Sequence, residues 1–204
     1  MRYTGPRLKI MRALGTELPG LSRKSIENRP HPPGQHGARL FATRKSEFGK
    51  QLREKQKLKF NYGLSERQMR RIMTEARGAS GNTGATMLEL LERRLDNVVF
   101  RGGFAPTLIA ARQLVNHGHV LLNGRTANIA SIRVRAGDEI TIRDRARKIP
   151  SVVEAMAAPA LERPEWLNFD DAKQSARMTR LPLPDEVPFP VEIQQVIEYY
   201  TQRL

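Results

Sequence analysis

The 204-residue chain carries 35 Lys or Arg against 21 Asp or Glu, a formal net charge of +14, with 39% apolar residues but only 6% aromatics. That composition supports one large or two small globular domains with modest cores, and it favours a polyanionic partner, because each cation that meets a phosphate releases condensed counterions. There is no cysteine, which excludes disulfides, thiolate chemistry and cysteine-ligated zinc.

Nucleic acid and an anionic membrane are the two candidate partners. No stretch approaches the roughly 20 consecutive apolar residues that span a bilayer, and the charged first thirty residues do not read as a signal peptide. The charge is concentrated: residues 1–59 hold fifteen Lys or Arg against four acids, 60–100 six against five, 101–150 nine against three, and 151–204 five against nine. A solvated surface normally mixes its signs, so the amino-terminal third is expected to be the main electrostatic footprint.

Residues 1–45 lack periodicity and carry breakers at Gly5-Pro6, Pro19-Gly20 and from Pro30 to Gly34, which predicts an irregular basic extension. His31 and His36 are the one obvious metal-ligand pair, and their loop offers no third ligand, so no metal is expected. Ser46 to Tyr62 reads as a helix with Phe48, Leu52 and the Lys55 stem on one side and Lys50, Arg53 and Lys57 around the rest, ended by Gly63. Ser65 to Gln68 is a capping box, Met69, Ile72, Met73 and Ala76 follow at i, i+3, i+4 and i+7, and Gly78 stands at the C-cap.

The loop from Gly78 to Gly84 lacks the Gly-Lys-Ser/Thr ending of a phosphate-binding loop and follows a helix, so it is expected to join two helices. Thr86 to Glu89 reads as a second capping box, followed by the stripe Leu88, Leu91, Leu95 and Val98 up to Gly102-Gly103. Pro106 suits the first turn of a helix reaching about His117, with Ile109, Leu114 and Val115 inward and Gly118 as terminator.

The period then changes to that of a sheet. His119 to Leu122 reads as a short strand before the tight turn Asn123-Gly124, and the alternations Ile132/Val134 and Ile140/Ile142 suggest an antiparallel pair across Gly137-Asp138, apolar on one face and basic on the other. Beyond Pro150 the prolines suggest loops and short edges, and Glu192 to Arg203 a closing helix whose Ile193, Val196, Ile197 and Tyr200 stripe docks on the helical half. The fold class is α+β: an extension (1–45), a helical amino-terminal half (46–92, with 191–204 docked on it), a small domain of helices on a short antiparallel sheet (93–154), and Pro-rich loops with short strands (155–190).

The stretch LERRLDNVVFRGGFAPTLIAARQLVNHGHVLLNGR, residues 91 to 125, resembles the small RNA-binding domain first recognised in small-subunit ribosomal protein four. The same domain is appended to pseudouridine synthases, some aminoacyl-tRNA synthetases and RNA methyltransferases, but here the flanks PPGQHGARLF, EFGKQLREKQKLKFNYGLSERQMRR, GNTG and VIEYYTQRL are also similar to the ribosomal family. The resemblance implies an RNA-facing surface of Arg112, Gln113, Asn116, His117, His119, Asn123 and Arg125, whose planar donors suit phosphates, sugars and base edges. The plainer alternative is a solvated polar helix face. Arg44, Lys45, Lys50, Arg53, Lys55, Lys57, Lys59, Arg67, Arg70 and Arg71 are further candidate RNA contacts in the basic and helical segments.

The resemblance further implies a cofactor-free, metal-free scaffold, since this chain lacks the zinc-binding cysteines of some family members. It implies direct binding to 16S ribosomal RNA near a helical junction in its 5′ domain, nucleation of the subunit body, and contact with the fifth small-subunit protein. It also implies mRNA near Arg39, Arg44 and Lys45, an influence on decoding accuracy, and residence in a cytoplasmic ribosome, with the plastid stroma as the alternative. An RNA-modifying enzyme is disfavoured. Outside residues 93–154 only 92 residues precede and 50 follow, with no nucleotide-cofactor fingerprint, and Asp96 reads as a surface or capping charge on a packing helix. A free RNA chaperone or translational repressor would use the same basic surface.

Overall fold

The computed structural model describes residues 3–37, 39, 46–170 and 172–201. It divides into two compact units, Met1–Met87 with Pro188–Leu204, and Leu88–Val187.

The first unit is helical: α1 (Arg7–Leu14), α2 (Glu47–Asn61), α3 (Glu66–Gly78), the start of α4 (Thr83–Glu92) and the closing helix α9 (Ile193–Thr201). The expected irregular extension contains a helix after all. RLKIMRAL is only two turns long, too short to show a period, yet it buries Met11 and Leu14 and stops where Gly15 takes a left-handed C-cap with φ 62°. Leu18 and Leu21 continue that core, and Gly20 N donates to Asn61 Oδ1 at 2.9 Å.

Helix α2 buries a face other than the one its apolar residues suggest. Phe48 is 48% exposed, while Gln51, Glu54, Lys55, Leu58, Asn61 and Tyr62 face inward at helical spacing. These polar ends are partnered: Glu54 with Lys57 at 2.7 Å and with Glu192 N at 2.9 Å, Lys55 with Glu66 at 2.9 Å, and Gln51 with Glu198 at 3.2 Å. The last three contacts reach α3 and the segment around α9, so long-range pairing overrides the local pattern. The α3 capping box Ser65/Gln68 forms and Met69, Ile72, Met73 and Ala76 are buried as expected, but the helix runs through Gly78 and its C-cap is Ala79. Val196 and Tyr200 of α9 are wholly buried, the Tyr200 hydroxyl donating to Glu66 at 3.1 Å.

The second unit holds the rest of α4, α5 (Leu95–Arg101), α6 (Leu108–Asn116), β1 (Val120–Leu122), β2 (Arg125–Ala127), β3 (Glu139–Ile142), the short α7 (Asp144–Arg147), α8 (Pro150–Ala157), β4 (Leu167–Asp170) and β5 (Ser175–Met178). Helix α4 starts three residues before the expected box, because Asn82 Oδ1 accepts from Gly84 N and Ala85 N. The long apolar stripe is cut between Glu92 and Leu95. There Arg94 bridges Arg133, Leu95 N donates to Ile132 O, and Val134 N donates to Arg93 O.

Ile132 to Val134 is thereby held by the α4–α5 junction and does not pair with β3, contrary to the expected hairpin. The antiparallel sheet runs β2-β1-β3-β5-β4. Val120 opposes Ala127 and Ile142, Leu122 opposes Ile140, and Ile140 opposes Ala176. Two of its strands, β4 and β5, come from the Pro-rich stretch, with Leu167 opposite Met178. Val120, Ile140, Ile142, Ala176 and Met178 bury one face together with Trp166, which is wholly inaccessible.

Candidate nucleic-acid interface

Helix α6 begins where the Thr107 side chain accepts from Ala110 N at 3.3 Å. Leu108, Ala111, Leu114 and Val115 turn inward, leaving Gln113, Asn116 and His117 exposed on the opposite face. Gly118, at φ 67°, reverses the chain into His119 and β1. The following turn puts Asn123 at φ 50° and Gly124 at φ 74°, and the Asn123 amide spans it by accepting from Glu139 N at 2.9 Å and donating to Asp138 at 2.8 Å. Asn123 and Arg125 are exposed beyond the helix end. Six of the seven positions implied by the resemblance, all but Arg112, therefore lie at exposed or half-buried positions from α6 to the start of β2.

Arg112 sits inside the fold. Its Nε and Nη2 donate to the wholly buried Asp96 carboxylate at 2.7 and 2.6 Å, and Arg94 adds a bidentate grip at 3.1 and 3.0 Å. Asp96 is thus not a surface charge, although its carboxylate accepts from Asn97 N at 3.0 Å in the first turn of α5, as a capping acid does. It is the anion of a buried Arg-Asp-Arg cluster that ties α5 to α6. Beside it, Asn97 donates to the Glu92 carboxylate at 2.9 Å, and Arg101 lies 3.6 Å from that same group.

In the helical unit, Lys50, Arg67, Arg70 and Arg71 are exposed, and Arg53 is half-buried with a hydrogen bond to the Ala13 carbonyl at 3.3 Å. Lys59 is half-buried, 3.7 Å from Glu66. Lys55 and Lys57 are buried and ion-paired, so their ammonium groups are engaged within the protein. Arg44 and Lys45 lie outside the described residues.

Two exposed arginines that sequence reasoning did not single out lie beside these positions. Arg143 and Arg145, at the corner after β3, line one hollow with His117 and His119. The signal was present in Arg143-Asp-Arg145, a charge pair just past an alternating strand, but only the β1–β3 pairing brings it beside the α6 terminus. Burial of His119, with the like charges of His117, Arg145 and Arg143 around it, pushes its imidazole below the ordinary histidine value.

Fold and surface together define a class of α+β protein that offers a basic, amide-rich helix-turn-strand face to a polyanion, and no described helix is long and apolar enough to cross a bilayer. Residues 2–92 match the Ribosomal protein S4/S9 N-terminal domain family, and residues 93–140 the S4 domain family. The chain is 62% identical over 203 residues to small ribosomal subunit protein uS4 of Methylobacillus flagellatus, covering 100% of this chain and 99% of that protein. It is 61% identical to uS4B of Nitrosomonas europaea over the same shares, and 49% identical to uS4 of Acaryochloris marina over 99% of this chain and 98% of that one. The chain belongs to the small ribosomal subunit protein uS4 family, a family of ribosomal structural proteins and not of enzymes.

Proposed function

We propose that this chain is a structural protein of the small ribosomal subunit that binds 16S ribosomal RNA directly, nucleates folding of the subunit body and contributes to translational accuracy. The observation that carries this reading is the exposed face of Gln113, Asn116, His117, Asn123 and Arg125, in a protein whose full length aligns with uS4 relatives. Amides and guanidinium groups on a reverse turn suit phosphate, sugar and base-edge contacts. The exposed Arg67, Arg70 and Arg71 add phosphate contacts from the helical unit, as does Lys50 once RNA displaces Glu47, its partner at 2.7 Å. The fifth small-subunit protein, mRNA near Arg39, Arg44 and Lys45, and a cytoplasmic ribosome complete the assignment.

Sucrose-gradient fractionation tests it. The protein should co-sediment stoichiometrically with small subunits, and its affinity for 16S ribosomal RNA should fall steeply with salt. A chain that stays at the top of the gradient under low-salt conditions would overturn the assignment.

A further inference from the structure

Between the end of α6 and the corner after β3 lies an open hollow of about 300 Å³ lined by His117, His119, Arg143, Asp144 and Arg145. The backbone holds its two walls together: Arg143 N donates to the His119 carbonyl at 2.9 Å, and Arg143 Nη1 to the Gly118 carbonyl at 3.3 Å. The imidazoles meet edge to face with centroids 6.0 Å apart. Asp144, the single acid on the rim, is 95% exposed and lies 3.5 Å from Arg147. Arg147 in turn donates to the carbonyls of Ile142 and Lys173 and does not line the hollow.

Two permanent guanidinium charges and two imidazoles therefore converge on a space with one carboxylate at its edge. In the free protein this cluster repels itself, and the group able to relieve the repulsion is the His119 imidazole, which sheds its proton while arginine does not. A single negative charge with two outward oxygens would offset part of the guanidinium charge and restore proton affinity to His119. The backbone phosphodiester of RNA has that chemistry, whereas a base edge has no charge to offer. We propose that His117, His119, Arg143 and Arg145 together bind one phosphodiester group of the RNA backbone, and that the contact takes up a proton on the His119 imidazole. This rests on the RNA-binding reading above and adds to it a defined ligand and a linked proton.

The depressed proton affinity of His119 fits the same geometry, because burial and three neighbouring cationic groups favour its neutral form until an anion arrives. Binding that raises proton affinity must itself strengthen as pH falls, by about tenfold for each unit by which the pKa rises.

The test uses the full chain with two probes. Dimethyl phosphate, a monoanion throughout pH 6 to 8, is titrated against the protein while imidazole resonances are followed by NMR. Affinity for 16S ribosomal RNA is measured at pH 6 and pH 8 at fixed ionic strength for the wild type, H117Q/H119Q and R145A. Dimethyl phosphate should raise the titration midpoint of His119. Wild-type affinity for the RNA should rise about tenfold from pH 8 to pH 6, a rise that H117Q/H119Q abolishes. R145A, at an exposed position, should weaken binding at both pH values. An unchanged pH dependence in a folded H117Q/H119Q, or imidazole titrations indifferent to dimethyl phosphate, would overturn the proposal. Failure to bind the RNA at either pH would instead overturn the ribosomal reading, with the dimethyl phosphate arm still deciding this one.

Discussion

Removing the Arg112 side chain should cost stability before it costs RNA affinity. The Asp96 carboxylate is wholly buried and accepts from Arg94 at 3.1 and 3.0 Å, from Arg112 at 2.7 and 2.6 Å and from Asn97 N at 3.0 Å. Breaking a buried ion pair costs about 3–5 kcal/mol because one charge is left uncompensated. In Arg112→Ala the carboxylate keeps Arg94, which places the loss near the low end, about 3 kcal/mol. Asp96→Ala strands two guanidinium groups and should reach the upper end, about 5 kcal/mol. Urea denaturation followed by fluorescence of Trp166, the single tryptophan and a buried residue of the same unit, reads this directly. Asn116→Ala, four residues along the same helix but exposed, is the control. It should shift stability by no more than about 0.5 kcal/mol while weakening RNA binding. An Arg112→Ala protein within about 0.5 kcal/mol of wild type would refute the structural role and return Arg112 to the RNA-facing set.

Changing the exposed Arg7, Lys9, Lys24 and Arg29 together to Ala should flatten the log–log salt dependence of RNA binding by about 0.7–0.9 for each phosphate that is no longer neutralised, measured by filter binding. An unchanged slope would remove the amino-terminal segment from the footprint. Truncation after Pro190 removes buried Val196 and Tyr200 together with the Glu198 partner of Gln51. The helical unit should lose at least ~2 kcal/mol by circular dichroism, and stop-codon readthrough should rise in a reporter strain. Burial alone would raise the Glu66 pKa, but hydrogen bonds and charge from Lys55, the Tyr200 hydroxyl and Lys59 outweigh it and hold the carboxyl below its ordinary value. A depressed folded pKa contributes stability that is present above the unfolded value and lost as pH falls through the folded one. Acid unfolding of the wild type should therefore steepen below the ordinary carboxylate range, and Glu66→Gln should flatten that limb.

The elements legible in the sequence were those whose signals are local. The Ser65/Gln68 box, the Met69-Ile72-Met73-Ala76 stripe and the Asn123-Gly124 turn each depend on residues within one or two helical turns or a single reversal, and all are present. The misread elements depend on distant partners. Ile132 and Val134 alternate as strand residues do, yet their backbone is claimed by Leu95 and Arg93. Residues 167–178 look like proline-punctuated loop until β3 supplies the edge on which β5 forms. Short α1 escaped because two turns give too few positions for periodicity, and its stabilisation comes from burial of Met11 and Leu14 in a core assembled by other segments.

The same distinction governs the interface. Counting charge by segment treats every cation in residues 1–59 as surface, but pairing is not confined to a segment: Lys55 is matched by Glu66, and Lys57 both pairs with Glu54 and donates to the Pro190 carbonyl at 3.3 Å. Arg112 shows the converse problem, since helical spacing rightly puts it near Asn116, while only the fold reveals that Asp96 waits beneath it. What distinguishes a cation free for RNA is therefore the lack of an acid within reach after folding, a property no local motif encodes. Among the described residues Arg143 and Arg145 form no ion pair, and Asp144, the one acid on their hollow, lies 3.5 Å from Arg147. The strand pairing of Val120 with Ile142 then carries this corner to the α6 terminus, so two ordinary stretches of sequence become one concentrated site of positive charge.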